Sequence, residues 1–191
     1  MACPRNLNYR HMEPRDFDHS RLVRLTGSIT EESSEKFLDD LREESLNGID
    51  GGITVVIHSD GGDIEDGFRI LDAMAMLKSK GFRFHTIVTG KAYSMGAYVF
   101  CMGDLRTLYA NARLMFHASR YEELEESDVT RDDLMKMCAE LEVYDKKFRD
   151  IMWNAGLPMD MIEQSMHTDL YLGVDDAIRY GLAHAVEQDI I

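Results

Sequence analysis

The sequence is short of the residues that build stapled or metal-clamped folds. Its three cysteines, Cys3, Cys101 and Cys138, are scattered and form no CxxC pair. That excludes a disulfide framework and gives no support to a zinc ribbon or a thioredoxin-like site, and it fits a reducing cytoplasm. Cys101 and Cys138 fall in apolar helical patterns and are expected to be small core residues. Three prolines in 191 residues, with no Ser/Gly-rich tract, leave little room for disordered linkers. The densest apolar stretch, Ala92 to Met102, is interrupted by Ser94 and glycines and falls well short of the roughly 20 residues that span a bilayer. The first residues, MACPRNLNYRHMEPRDFDH, lack an apolar run of the kind a secretory signal needs. Basic side chains are also outnumbered, 21 against 35 acidic, for a formal net charge of −14. Such a field repels a phosphate backbone, so nucleic acid is a poor candidate partner and solubility is the simplest use of the charge.

What is present has the size and 45% hydrophobic content of one soluble domain with a substantial core. Residues 1–20 are polar and patternless and are expected to form a flexible or partner-ordered arm, with a single domain over 21–191. Arg21–Thr26 alternates as a first strand. Thr30 is a suitable N-cap for a helix to about Leu46, with Ser33 following and acids in the first turn. Ile53–Ile57 is a continuous β-branched run, as in a parallel strand buried on both faces. Ser59-Asp60-Gly61-Gly62 is expected to end that strand. A helix follows, with Ile64, Phe68, Leu71 and Met74 at helical spacing. Phe82–Thr89 is the next strand, Gly90–Tyr93 a tight turn, and Ser94–Met102 a short apolar helix. Strands are expected at 105–109 and 113–117, and an acidic loop at 118–130. A long amphipathic helix should cover about 130–153. Short helices near 158–166 and 174–180 flank Asp169, and a last strand is expected near 182–186. This alternation predicts an α/β fold of stacked β-α units.

Four places could carry chemistry. In Gly90-Lys91-Ala92-Tyr93-Ser94-Met95-Gly96-Ala97, small residues flank a serine where a strand turns into a helix. A sharp turn of this kind lifts a side chain out of the backbone, as in a nucleophile elbow, although Ala92 replaces one glycine of G-x-S-x-G. Unpaired N–H groups of the first helical turn, such as that of Met95, can donate to an oxyanion. A plain N-cap serine would read the same way. Ser59-Asp60-Gly61-Gly62-Asp63 follows a buried strand, where paired glycines allow close backbone approach to a ligand or serve as an ordinary turn. His117, at the end of Leu114-Met115-Phe116, has a side chain suited to a general base, and there are six other histidines that could equally be structural. Asp169, in a short segment between helices, could orient an imidazole. His167 and Asp169 lack a metal-ligand spacing, no dinucleotide or Walker motif is present, and the 13 methionines are expected as core filler.

These pieces, in this order and register, resemble the proteolytic subunit of the ATP-dependent Clp protease, from about Arg21 to Val186. The resemblance rests on the two-glycine turn, the Ser-Met-Gly-Ala block, the Met-Phe-His strand end and the Asp-Leu-Tyr-Leu segment before Asp175–Leu182. It implies a Clp-protease/crotonase-like fold with a protruding handle helix at about 130–153. It implies Ser94 as nucleophile, His117 as general base and Asp169 as the residue that holds the imidazole. The N–H groups of Gly62 and Met95 would form the oxyanion hole, with Gly61 shaping the turn. It further implies a cytoplasmic homo-oligomer of two stacked seven-membered rings enclosing the active sites. An AAA+ unfoldase would feed it unfolded polypeptides, and the chain itself would need no cofactor or metal, ATP being used by the partner. The sequence departs from the family at Asp60 in the usual Ser-Pro-Gly-Gly, at His58, at Tyr93, and at Ala118-Ser119 in place of Gln-Pro. The competing readings are a non-catalytic ring subunit or peptide-binding adaptor, a crotonase-like acyl-CoA enzyme, and a Ser–Lys peptidase of the signal-peptide-peptidase-A type.

Overall fold

A computed structural model describes residues 12–121 and 129–187. Strand β1 (Leu22–Ile29), helix α1 (Glu31–Ser45), β2 (Ile53–Gly62), α2 (Ile64–Ser79), β3 (Phe84–Tyr93), α3 (Met95–Cys101) and β4 (Leu105–Tyr109) alternate along the chain. The sheet runs β1-β2-β3-β4-β7, all parallel, with β7 at Ala185–Glu187. Helical crossovers are what parallel neighbours require. The central strands are buried on both faces: Ile53, Val55, Ile57, Phe84 and Val88 are fully enclosed, as the unbroken β-branched runs imply. Helix α1 begins at Thr30, whose Oγ1 accepts from Ser33 N–H while Ser33 Oγ accepts from Thr30 N–H at 2.9 Å, a reciprocal cap that satisfies two orphan donors.

Two strands run longer than their sequences suggest. Strand β2 continues through Gly61-Gly62 because β1 stays paired with it up to Ile29. Strand β3 continues through Gly90–Tyr93 because it changes partners. Its first half pairs with β4, and Lys91–Tyr93 pairs with β5 (Arg113–Phe116). Strand β5 in turn pairs antiparallel with β6 (Leu170–Leu172), where sequence reasoning placed only a segment between helices.

Helix α4 (Arg131–Ala155) opens on a Thr130–Asp133 capping box and closes on Gly156 in the left-handed region, φ 106°. Its buried residues, Phe148, Met152 and Ala155, all lie in the C-terminal half. Toward the N-terminus Leu134, Met135 and Val143 are exposed, so the apolar stripe is covered only where the helix meets the domain. Helices α5 (Met159–Ser165) and α6 (Val174–Tyr180) follow. No helix among the described residues is long and apolar enough to cross a membrane.

Two further sequence expectations change. Cys138 is exposed, whereas Cys101 is buried, and burial pushes its thiol up to about 12. Residues 12–20, expected as part of the arm, lie against the sheet. Phe17 is 5% exposed and its ring is 5.1 Å from that of His85, while Asp18 N–H donates to Gly51 O. The acidic loop is described up to Tyr121, and its remainder at 122–128 and the arm's residues 1–11 lie outside the described residues.

Candidate active site

Two chain reversals at the carboxyl ends of β2 and β3 build the site, where ligands of open parallel sheets bind. At the first, Gly61 and Gly62 adopt φ 87° and 148°. A Cβ on Gly62 would lie 2.2 Å from Ile29 O, and one on Gly61 would lie 2.6 Å from Ser94 Cβ and 3.0 Å from Met95 N. Both positions therefore need glycine, for conformation and for room. Ser59, fully buried, fixes this turn: its Oγ donates to Gly27 O at 2.6 Å and accepts from Gly61 N–H at 3.0 Å.

At the second reversal, β3 passes directly into α3 through Ser94, at φ 50° and ψ −126°. Ser94 is the one non-glycine residue with positive φ among the described residues. Backbone of this kind costs on the order of 1–3 kcal/mol and persists where the surroundings impose it. Here the imposing contacts are Ser94 N–H to Met115 O at 2.8 Å, and Ser94 O accepting from Ala97 N–H and Tyr98 N–H at 2.9 and 3.3 Å. The Ser94 side chain does not cap its helix, and the N–H of Met95, in the first helical turn, has no place in the i→i−4 ladder.

Ser94, His117 and Gly62 line one cleft of about 650 Å³, which extends under α4 to Leu141, Tyr144 and Phe148. His117 follows the last residue of β5 and is half-buried. Its Nδ1 faces Ala118 O at 2.5 Å. A carbonyl can only accept, so Nδ1 carries the proton and Nε2 is the basic nitrogen. Asp169 precedes β6. The antiparallel register ends at Phe116↔Leu170, which brings the backbones of His117 and Asp169 to the same end of that ladder. Asp169 is nevertheless exposed and outside the cleft wall. Among the described residues it makes no hydrogen bond or ion pair with the imidazole, whose Nδ1 is turned to Ala118 O instead.

The structure thus gathers Ser94, His117, Gly61, Gly62 and Met95, and leaves Asp169 adjacent but unengaged. Sequence reasoning did not find Tyr98 and Asp145, which hold the chain around His117. Tyr98 hydroxyl donates to His117 O at 3.0 Å, and Asp145 Oδ1 accepts from Ser119 N–H at 2.7 Å. These contacts span 19 and 26 positions, and no local motif signals them.

A family model described as Clp protease matches residues 11–189. The chain is 29% identical over 167 residues to ATP-dependent Clp protease proteolytic subunit 1 of Prochlorococcus marinus (strain NATL2A), covering 85% of this chain and 81% of that protein. It is 26% identical over 183 residues to proteolytic subunit 2 of Parasynechococcus marenigrum (strain WH8102), covering 90% and 88%. A third relative, proteolytic subunit 2 of Synechococcus sp. (strain CC9605), is 27% identical over 183 residues, with 90% and 88% covered.

Proposed function

The chain belongs to the Clp protease family, and on that premise we propose that it is a serine endopeptidase subunit acting through Ser94, His117 and Asp169. His117 Nε2 takes the Ser94 Oγ proton as Oγ attacks the scissile carbonyl carbon. The tetrahedral oxyanion is received by the N–H groups of Gly62 and Met95, with Gly61 keeping the two backbones in contact. His117 then gives its proton to the leaving amine. Water, deprotonated by the same nitrogen, hydrolyses the acyl-enzyme. Asp169 takes over Nδ1–H from Ala118 O and stabilises the imidazolium. This requires the imidazole to rotate, in keeping with resting sites whose hydrogen bonds tighten only with substrate.

The observation that carries this reading is the strained Ser94, φ 50°, in one cleft with His117. Strain held in place by backbone contacts on both sides of a serine has a use in presenting Oγ and none in capping. The assembly, with two stacked seven-membered rings, a cytoplasmic setting and an AAA+ unfoldase supplying unfolded polypeptide, belongs to the same proposal. It is supported by the Clp names of the relatives and by the uncovered apolar residues of α4.

One observation favours a second reading, a non-catalytic ring subunit: Asp169 stands outside the cleft and His117 is turned from it. Cleavage of fluorogenic peptides by wild type, Ser94→Ala, His117→Ala and Asp169→Ala, each sized by light scattering, separates the two. Catalysis predicts a large particle whose turnover falls by about 10³-fold or more in each variant, since triad members act as a unit. A large particle with no wild-type turnover supports the silent subunit.

A further inference from the structure

The turn 117–119 is pinned at both ends, by residues from two different helices. At its start, His117 O accepts the hydroxyl of Tyr98 at 3.0 Å. Tyr98 lies on α3, is 1% exposed, and its ring stacks on Phe148 of α4 with centroids 4.2 Å apart and planes 4° from parallel. Burial pushes its phenol well above the ordinary range, so it remains a donor. At its end, Ser119 N–H and Ser119 Oγ both lie 2.7 Å from Asp145 Oδ1, and Oγ is also 3.1 Å from Leu141 O. Between the pins stands Ala118 O, the acceptor of His117 Nδ1–H.

We propose that Tyr98 and Asp145 are positioning residues for His117. By fixing the carbonyls and N–H groups of the turn, they hold the backbone that carries the imidazole and the carbonyl that sets its Nδ1–H tautomer. Rotation of His117 toward Asp169 is then a side-chain movement on a fixed base. Losing either pin frees the turn, the tautomer and the distance from Nε2 to Ser94 together. The Ala118-Ser119 pair makes this possible, because Ser119 supplies both an N–H and a hydroxyl to Asp145.

The kinetic part of the test rests on the peptidase reading, and the spectroscopic part does not. Wild type, Asp145→Ala, Asp145→Asn, Ser119→Ala and Tyr98→Phe are compared by ring-nitrogen NMR shifts of 15N-histidine-labelled protein and by the rate at which a fluorophosphonate labels Ser94. The proposal expects the wild-type His117 ring to show the Nδ1–H tautomer. Asp145→Ala and Tyr98→Phe should mix or exchange it, with the His85 signals unmoved. Labelling should slow by up to about 10²-fold, the scale of a 1 Å misplacement of a catalytic group, while peptide KM stays within about twofold. Asp145→Asn, whose amide oxygen still accepts, should restore both readings. An unchanged His117 tautomer in Asp145→Ala and Tyr98→Phe overturns the proposal. So does an Asp145→Asn variant as impaired as Asp145→Ala, which would indicate a general loss of stability. If wild-type Ser94 takes no label yet the His117 ring responds as expected, the positioning role stands and the peptidase reading falls.

Discussion

At the residue scale, the fold encloses a side chain whose protonation it opposes. His85 is 1% exposed, with Nε2 against Thr107 Oγ1 at 2.8 Å and a buried Nδ1 that has no partner among the described residues. Burial, reinforced by His19 and His184, holds its pKa down to about 4 from 6.5. A depressed histidine is neutral in the folded state while the unfolded chain still binds a proton. Its contribution is therefore complete above about pH 6.5 and is lost as pH falls toward 4. At pH 5 the loss amounts to about 2 kcal/mol. Thermal unfolding from pH 8 to 5 should show Tm falling in wild type and a flatter profile in His85→Gln, which cannot take the proton. Equal slopes would mean that His85 finds a partner when charged.

At the element scale, three helix ends converge on one cation. Arg106 of β4 is 3% exposed and donates to Gly103 O after α3, to Ala155 O at the end of α4, and to Gly181 O and Leu182 O after α6. Carbonyls at helix C-termini lack intrahelical donors and carry partial negative charge, so a planar five-donor cation satisfies several at once. Arg106→Lys keeps the charge but not the fork. It should lower urea-unfolding stability by about 3 kcal/mol, the scale of buried carbonyls left unsatisfied. A variant within 0.5 kcal/mol of wild type, a margin about that of an ordinary surface change, would show that water replaces the guanidinium. The elements themselves were legible where periodicity was local. The Thr30 cap, the β-branched β2 and the stripe of α4 read directly from residue order. The extension of β2 and β3 through glycine-rich ends did not, because pairing with β1 and β5 overrides the weak strand tendency of those residues. Leu170–Leu172 was likewise too short to declare itself a strand without β5 beside it. Within the candidate site, the sharp turn at Ser94 was legible because small residues surround it at a strand-to-helix junction. The resting direction of His117 and the contacts of Tyr98 and Asp145 depend on tertiary placement and leave no trace in local sequence.

At the scale of the whole molecule, an acidic α/β domain carries a helix that it only half covers and a strained serine in a cleft with a histidine. The proposed serine chemistry rests on the match to the Clp protease family. The charge of −14 repels polyanions. The central claim is that Ser94 is a nucleophile activated by His117. Mass-spectrometric mapping of a fluorophosphonate adduct on the assembled protein tests it most directly. One adduct per chain is expected, on the peptide bearing Ser94, absent from Ser94→Ala and strongly slowed in His117→Ala. An unmodified Ser94 under conditions in which a known serine peptidase is fully labelled, or equal labelling in His117→Ala, would contradict it.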